Sequence, residues 1–102
     1  MTAALTPERA LAYLATLSTD IRSSAVLGPG HALLAGDPGL AEAAAAALER
    51  SPGEAVVREA LPSGATLMAA RSPSHAVAVE IGPHALAALV ALDLRNVLGD
   101  LG

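Results

Sequence analysis

Seven prolines stand in this 102-residue chain, and each falls where its neighbours already mark a boundary. Pro7 follows Thr6 and Pro38 follows Asp37, the pattern of a helix N-cap with proline just inside it. Gly28-Pro29-Gly30, Ser51-Pro52-Gly53, Leu61-Pro62-Ser63-Gly64, Ser72-Pro73-Ser74 and Gly82-Pro83 are breakers between apolar stretches. Proline fixes φ and lacks an N–H, so neither a helix nor a central strand is expected to run through these points. The chain is thereby cut into short elements. Its longest apolar run, Ala85 to Leu92, falls well below the roughly 18–20 residues that span a bilayer.

The segments between breakers carry distinct periodicities. Ala10, Leu14, Leu17 and Ile21 recur at helical spacing behind the Thr6 cap, with Ser18-Thr19-Asp20 weakening that helix. A strand is expected from about Ile21 to Leu27. It turns through Gly28-Pro29-Gly30, with Pro29-Gly30 suited to the centre of a type II turn, into a second strand, His31 to Ala35. The helix after Asp37-Pro38 contains five consecutive alanines, Ala43 to Ala47, and stops at Ser51-Pro52-Gly53. Three strands follow, Glu54 to Ala60, Ala65 to Arg71 and His75 to Ile81, with gaps short enough for hairpins. In the last strand both faces are mostly apolar, as in a strand covered by helices on each side. A final helix is expected from Gly82-Pro83 to about Leu98.

Composition limits what such a domain does. Hydrophobic residues make up 53% and charged residues 16%, which excludes a disordered, charge-driven chain and predicts a single folded domain over residues 1–102. With no Trp or Phe and one Tyr, Tyr13, the core must be aliphatic. Many of its residues are alanines that cover little area, so burial of further surface in an oligomer is favoured. Net charge is −4, and the six basic residues, all Arg, are scattered without interleaved aromatics; nucleic-acid binding is disfavoured. The absence of Cys excludes disulfides and fits a reducing cytosol. The start of the chain lacks a basic n-region and carries Pro7 and Glu8, so no signal peptide is expected. The absence of Lys beside abundant Ala, Gly, Pro and Arg points to a GC-rich bacterial genome. A cytoplasmic protein with no membrane partner is expected.

The order helix, strand, strand, helix, strand, strand, strand, helix resembles the roadblock/dynein-light-chain family over nearly the whole chain. The hairpin Ala25-Val26-Leu27-Gly28-Pro29-Gly30-His31-Ala32-Leu33-Leu34-Ala35, the Ala-rich helix, the meander and the closing helix around Leu86-Ala87-Ala88-Leu89-Val90 carry the likeness. The hairpin turn departs from it, with Gly-Pro-Gly where family members often hold an Asp-Gly-type sequence. The resemblance implies an α+β fold: a five-stranded antiparallel sheet with the middle helix on one face and the two terminal helices on the other. It also implies a homodimer or heterodimer, with middle helices paired and third strands joined edge to edge. Family members regulate or scaffold small Ras-like GTPases, bacterial ones included, and others are dynein light chains.

On the middle helix Leu40, Ala44 and Leu48 form one stripe, and Ala41, Ala43, Ala45 and Ala47 flank it. The apolar arc is roughly 240° wide, against the 100° or a little more that one sheet face requires. The excess either packs on a partner or consists of exposed helix formers. On the third strand Glu54, Val56 and Arg58 are candidate interface residues. Two identical strands pairing about an axis at Val56 would set Glu54 opposite Arg58 twice.

Catalysis finds little support. His31, His75 and His84 are dispersed without metal-ligand spacing, and Ser23, Ser24, Ser63 and Ser74 lie outside any nucleophile elbow. Gly28-Pro29-Gly30 joins two strands and no Lys follows it, so it is no phosphate loop. The helical wheel places Asp93 with Leu86, Leu89, Val90 and Val97. There it is either a partner anchor or proton-transfer group, or an edge residue bonded to backbone or to an Arg such as Arg22. The expectation is a non-catalytic, cofactor-free interaction module that binds itself and a Ras-like GTPase or signalling complex. The alternative is a small-molecule sensor of ACT-like build.

Overall fold

The structure, a computed structural model, describes residues 5–17 and 20–101. The elements follow the order α1 (Pro7–Leu14), β1 (Ile21–Leu27), β2 (Leu33–Gly36), α2 (Pro38–Arg50), β3 (Val56–Ala60), β4 (Thr66–Arg71), β5 (Ala76–Ile81) and α3 (Ala87–Leu101). The five strands form one antiparallel sheet in the order β2-β1-β5-β4-β3. The hairpin β1–β2 and the meander β3–β5 are each local, and α2 carries the chain between them across one face. β2 and β3 are left as the two edges.

Strand alternation explains the two-layered core. Val77, Val79 and Ile81 of β5, with Val26, Met68 and Ala70, face α1 and α3, where they meet Ala10, Leu14, Val90, Leu94, Val97, Leu98 and Leu101. Ala76 and Ala78, with Ala25, Leu27, Leu67, Ala69 and Val57, face α2 and meet Leu40, Ala41, Ala44, Ala47 and Leu48. Most of the bulky residues thus lie under the terminal helices, with Leu27, Leu40, Leu48, Leu67 and Val57 under the middle one. Alanine lies largely on alanine under the middle one.

Local bonding fixes the element ends. Thr6 Oγ1 accepts from the N–H of Arg9 at 3.2 Å, and Asp37 Oδ1 from the N–H of Leu40 at 3.1 Å, so both caps form as their side chains dictate. α1 stops at Leu14, short of Leu17 and Ile21, because the Thr16 hydroxyl and N–H both donate to the Tyr13 carbonyl, at 2.7 and 2.9 Å. Ser18 and Thr19, read as weakening that helix, lie outside the described residues.

The first hairpin is longer than its sequence suggests. Gly30 takes φ 70° as a turn glycine should, and His31 donates to the Gly28 carbonyl at 3.1 Å. His31 itself also has φ 62°, however, and the Gly28 N–H reaches on to the Ala32 carbonyl at 2.8 Å. The turn therefore absorbs residues 31 and 32, and β2 begins at Leu33. It ends at Gly36, φ 105°, where a Cβ would lie 2.3 Å from the Ser24 carbonyl oxygen.

The final helix begins at Ala87 and not at Gly82-Pro83. Asp20 holds the intervening turn: its carbonyl accepts from Gly82 N–H at 2.9 Å and its carboxylate from His84 N–H at 2.7 Å. The helix runs past Leu98 to Leu101, which is buried, and the Asp100 carbonyl accepts from the N–H of Leu5 at 3.0 Å. The start of the third strand also shifts, to Val56, leaving Glu54 in the preceding loop.

Candidate functional site

The edge strand β3 presents an unpaired backbone face. The N–H of Arg71 donates to the Ala55 carbonyl and that of Leu61 to the Ala65 carbonyl, both at 2.9 Å. These bonds set the phase of the β3–β4 ladder: residues 57 and 59 turn their N–H and C=O towards β4. Val56, Arg58 and Ala60 turn theirs outward. The side chains of Val56 and Arg58 lie on the α3 face, while Val57 and Glu59 lie on the α2 face. Glu59 is ion-paired there with Arg50 at the end of α2.

The alanines proposed as flanks of α2 separate into two groups. Ala41 and Ala47 are 6% and 0% exposed and lie against this chain's own sheet. Ala43 and Ala45, with Ala46, are only partly covered, and Glu42, Glu49 and Arg50 are exposed. Ala43 and Ala45 thus flank the buried stripe on opposite sides and pack partly on the core below, while Ala46 lies between Glu42 and Arg50 on the outer side. Of the strand candidates, Glu54 and Arg58 are exposed and Val56 is half-buried.

Three of the serines have structural partners. Ser23 and Ser63 donate to Glu80 at 3.0 and 3.2 Å, and Ser74 Oγ lies 2.9 Å from His75 Nδ1. Among the described residues no carboxylate is bonded to the His75 ring, and no three His, Asp or Glu residues are grouped to hold a metal. Asp93 is half-buried on a flank of α3, outside the core, and Arg22 lies 3.8 Å from Asp20 instead. Leu86 and Leu89, read from the wheel as facing inward with Val90, are 67% and 55% exposed. Leu86 precedes the helix, and the buried stripe is Val90, Leu94, Val97, Leu98 and Leu101.

One cleft escaped sequence reasoning. It occupies about 490 Å³ between the β4–β5 turn and the C-terminal half of α3, and is lined by Ala55, Arg71, Pro73, Arg95, Leu98 and Gly99 with Ser72 and Ser74. No local motif signals it, because its arginines come from different elements. No helix is long and apolar enough to cross a membrane among the described residues.

No protein-family model and no curated protein sequence matches the chain. Among solved structures it is similar to the crystal structure of the Roadblock/LC7 domain from Streptomyces avermitillis. That likeness has a TM-score of 0.68 at 15% identity and covers 90% of this chain and 94% of that one. The five-stranded antiparallel sheet, the single helix on one face and the two helices on the other are as the family resemblance implied, and the chain has the roadblock/LC7 fold.

Proposed function

We propose that the chain is one domain working as a non-catalytic, dimeric interaction module, which regulates or scaffolds a small Ras-like GTPase or a signalling complex in the bacterial cytoplasm. The observation that carries this reading is the β3 edge, where Val56, Arg58 and Ala60 leave backbone donors and acceptors unpaired beside partly covered alanines on α2. An edge of this kind is a template for a second strand. A two-fold axis makes the strand its own complement, and α2 of each copy is carried alongside. The structural neighbour, described as a Roadblock/LC7 domain, supports the choice of partner class by its fold.

The test has two parts. Light scattering after gel filtration should give twice the monomer mass at micromolar concentration; a monomer at every concentration overturns the dimer. Purification from the source cell should bring down a small GTPase whose nucleotide hydrolysis or localisation changes when the chain is removed. Recovery of no GTPase overturns that partner class.

A further inference from the structure

We propose that the cleft between the β4–β5 turn and the C-terminal half of α3 binds a phosphate group carried on an apolar body. Two arginines, Arg71 and Arg95, line it with no Asp or Glu among its lining residues. The ion pairs among the described residues are Arg22 with Asp20 and Arg50 with Glu59, so both cleft arginines lack a carboxylate partner there. Glu54 lines the adjoining cleft, which shares Ala55, Arg71, Ser72 and Pro73 with this one.

Arg71 is also held in position. Its Nε donates to the Glu54 carbonyl at 2.7 Å and its Nη2 donates to the Ser51 carbonyl, so the loop between α2 and β3 grips one edge of the guanidinium. Carbonyl groups orient the cation without neutralising it. A guanidinium has five N–H donors, and these two bonds occupy its Nε–Nη2 edge. The Nη1–Nη2 edge is left for two oxygens of an anion, the geometry in which Arg binds phosphate and carboxylate best. Because the side chain is half-buried, its charge is less screened than that of a fully exposed residue.

Two features choose the ligand. Arg95 supplies a second positive charge across the cleft, which matches the double charge of a phosphate monoester better than a single carboxylate. Leu98, Pro73 and Ala55 supply apolar surface that inorganic phosphate would leave uncovered, and the volume lies in the range of small-molecule sites. Ala55 places one wall of the cleft between Glu54 and Val56 of the proposed β3 seam.

The test is a titration of the isotope-labelled chain, in its solution oligomeric state, with phenyl phosphate, inorganic phosphate and phenylacetate at fixed ionic strength. Phenyl phosphate should shift the amides of Ser72, Ser74, Leu98 and Gly99 and the Nε–H of Arg71, saturably and several-fold more tightly than either other anion. Arg95→Gln, at an exposed position, should weaken that binding about tenfold and leave the free spectrum and melting temperature unchanged. The proposal is overturned if no saturable shift appears at these residues, or if Arg95→Gln binds as tightly as the parent. It is equally overturned if phenylacetate or inorganic phosphate matches phenyl phosphate.

Discussion

Arg50, the last residue of α2, is joined side-on to Glu59 of the edge strand: its Nε donates to Oε2 at 3.3 Å and its Nη2 donates to Oε1. The pair joins the C-terminal end of the middle helix to the free edge of the sheet, the two parts of the proposed interface.

That pair is solvated, with side-chain exposures of 59% and 33%, so its coupling should be small and fade with salt. A double-mutant cycle of Arg50→Gln and Glu59→Gln, followed by thermal melting, should show favourable coupling that shrinks as sodium chloride is added. The hydrogen bond that Arg50 donates to Glu59, and next the Glu59 charge, raise the Arg50 pKa above its ordinary value. A raised folded-state pKa gives stability below the unfolded value that is lost only as pH climbs through the folded one. The difference between parent and Arg50→Gln should therefore stay level from about pH 7 to about pH 10. A contribution that disappears within that interval would contradict the assignment.

Neighbouring alanines on α2 should respond oppositely to the same substitution. Ala47 is fully buried against the sheet, and Ala47→Arg places a charge and a long side chain where there is no room. It should cost roughly 3 kcal/mol or more and unfold much of the protein. Ala45 is partly covered, so Ala45→Arg should keep its far-ultraviolet circular dichroism and cooperative melt while its dimer weakens in light scattering. A fully dimeric Ala45→Arg would remove α2 from the interface.

The register of the proposed β3–β3 contact is tested by charge reversal. Glu54 precedes the strand, but its backbone is fixed by the bond from Arg71 Nε, so it sits at a defined distance from Arg58 along the edge. An axis at Val56 pairs these residues across the two copies at roughly 0.2–1 kcal/mol per pair. Arg58→Glu should loosen the dimer, and Glu54→Arg in the same chain should restore it. If the double variant dissociates as readily as Arg58→Glu alone, the axis lies elsewhere on the strand.

Two glycines with positive φ should differ sharply in tolerance. Gly30, at φ 70°, has nothing within 4 Å of where an added methyl would sit, so Gly30→Ala should cost only the backbone penalty, roughly 1–2 kcal/mol. At Gly36 the same methyl would meet the Ser24 carbonyl oxygen at 2.3 Å and Ala25 Cα at 2.7 Å, both backbone atoms. Gly36→Ala should cost at least about 3 kcal/mol. Urea unfolding of the two variants measures the gap, and equal midpoints would contradict this placement.

The element order was legible because the prolines and glycines sit at true boundaries, and the capping side chains of Thr6 and Asp37 act within their own helices. The start of α3 was not, since it is set by Asp20, 64 residues before His84. A breaker such as Gly82-Pro83 shows where a strand ends, but not how far the chain travels before a helix begins. The middle helix was recognisable as broadly apolar, yet its rotation depends on contacts that composition does not encode. Ala41 and Ala47 were therefore indistinguishable in sequence from Ala43 and Ala45. Arg71 and Arg95 share a cleft only through tertiary packing, so neither neighbouring sequence hints at the other.

The alanine-on-alanine layer between α2 and the sheet has a thermodynamic consequence. Ala41, Ala44 and Ala47 above Ala25, Ala69, Ala76 and Ala78 have no χ rotamers, so ordering them forfeits almost no side-chain entropy. Leu27, Leu40, Leu48, Leu67 and Val57 complete this layer, while the opposite one holds more Leu, Val and Met and so has more torsions to freeze. The partly covered alanines of α2, Ala43, Ala45 and Ala46, likewise have no side-chain torsions to lose to a partner. A partner meeting those alanines has little side-chain disorder to suppress there, and more of that contact's energy is left to appear as affinity.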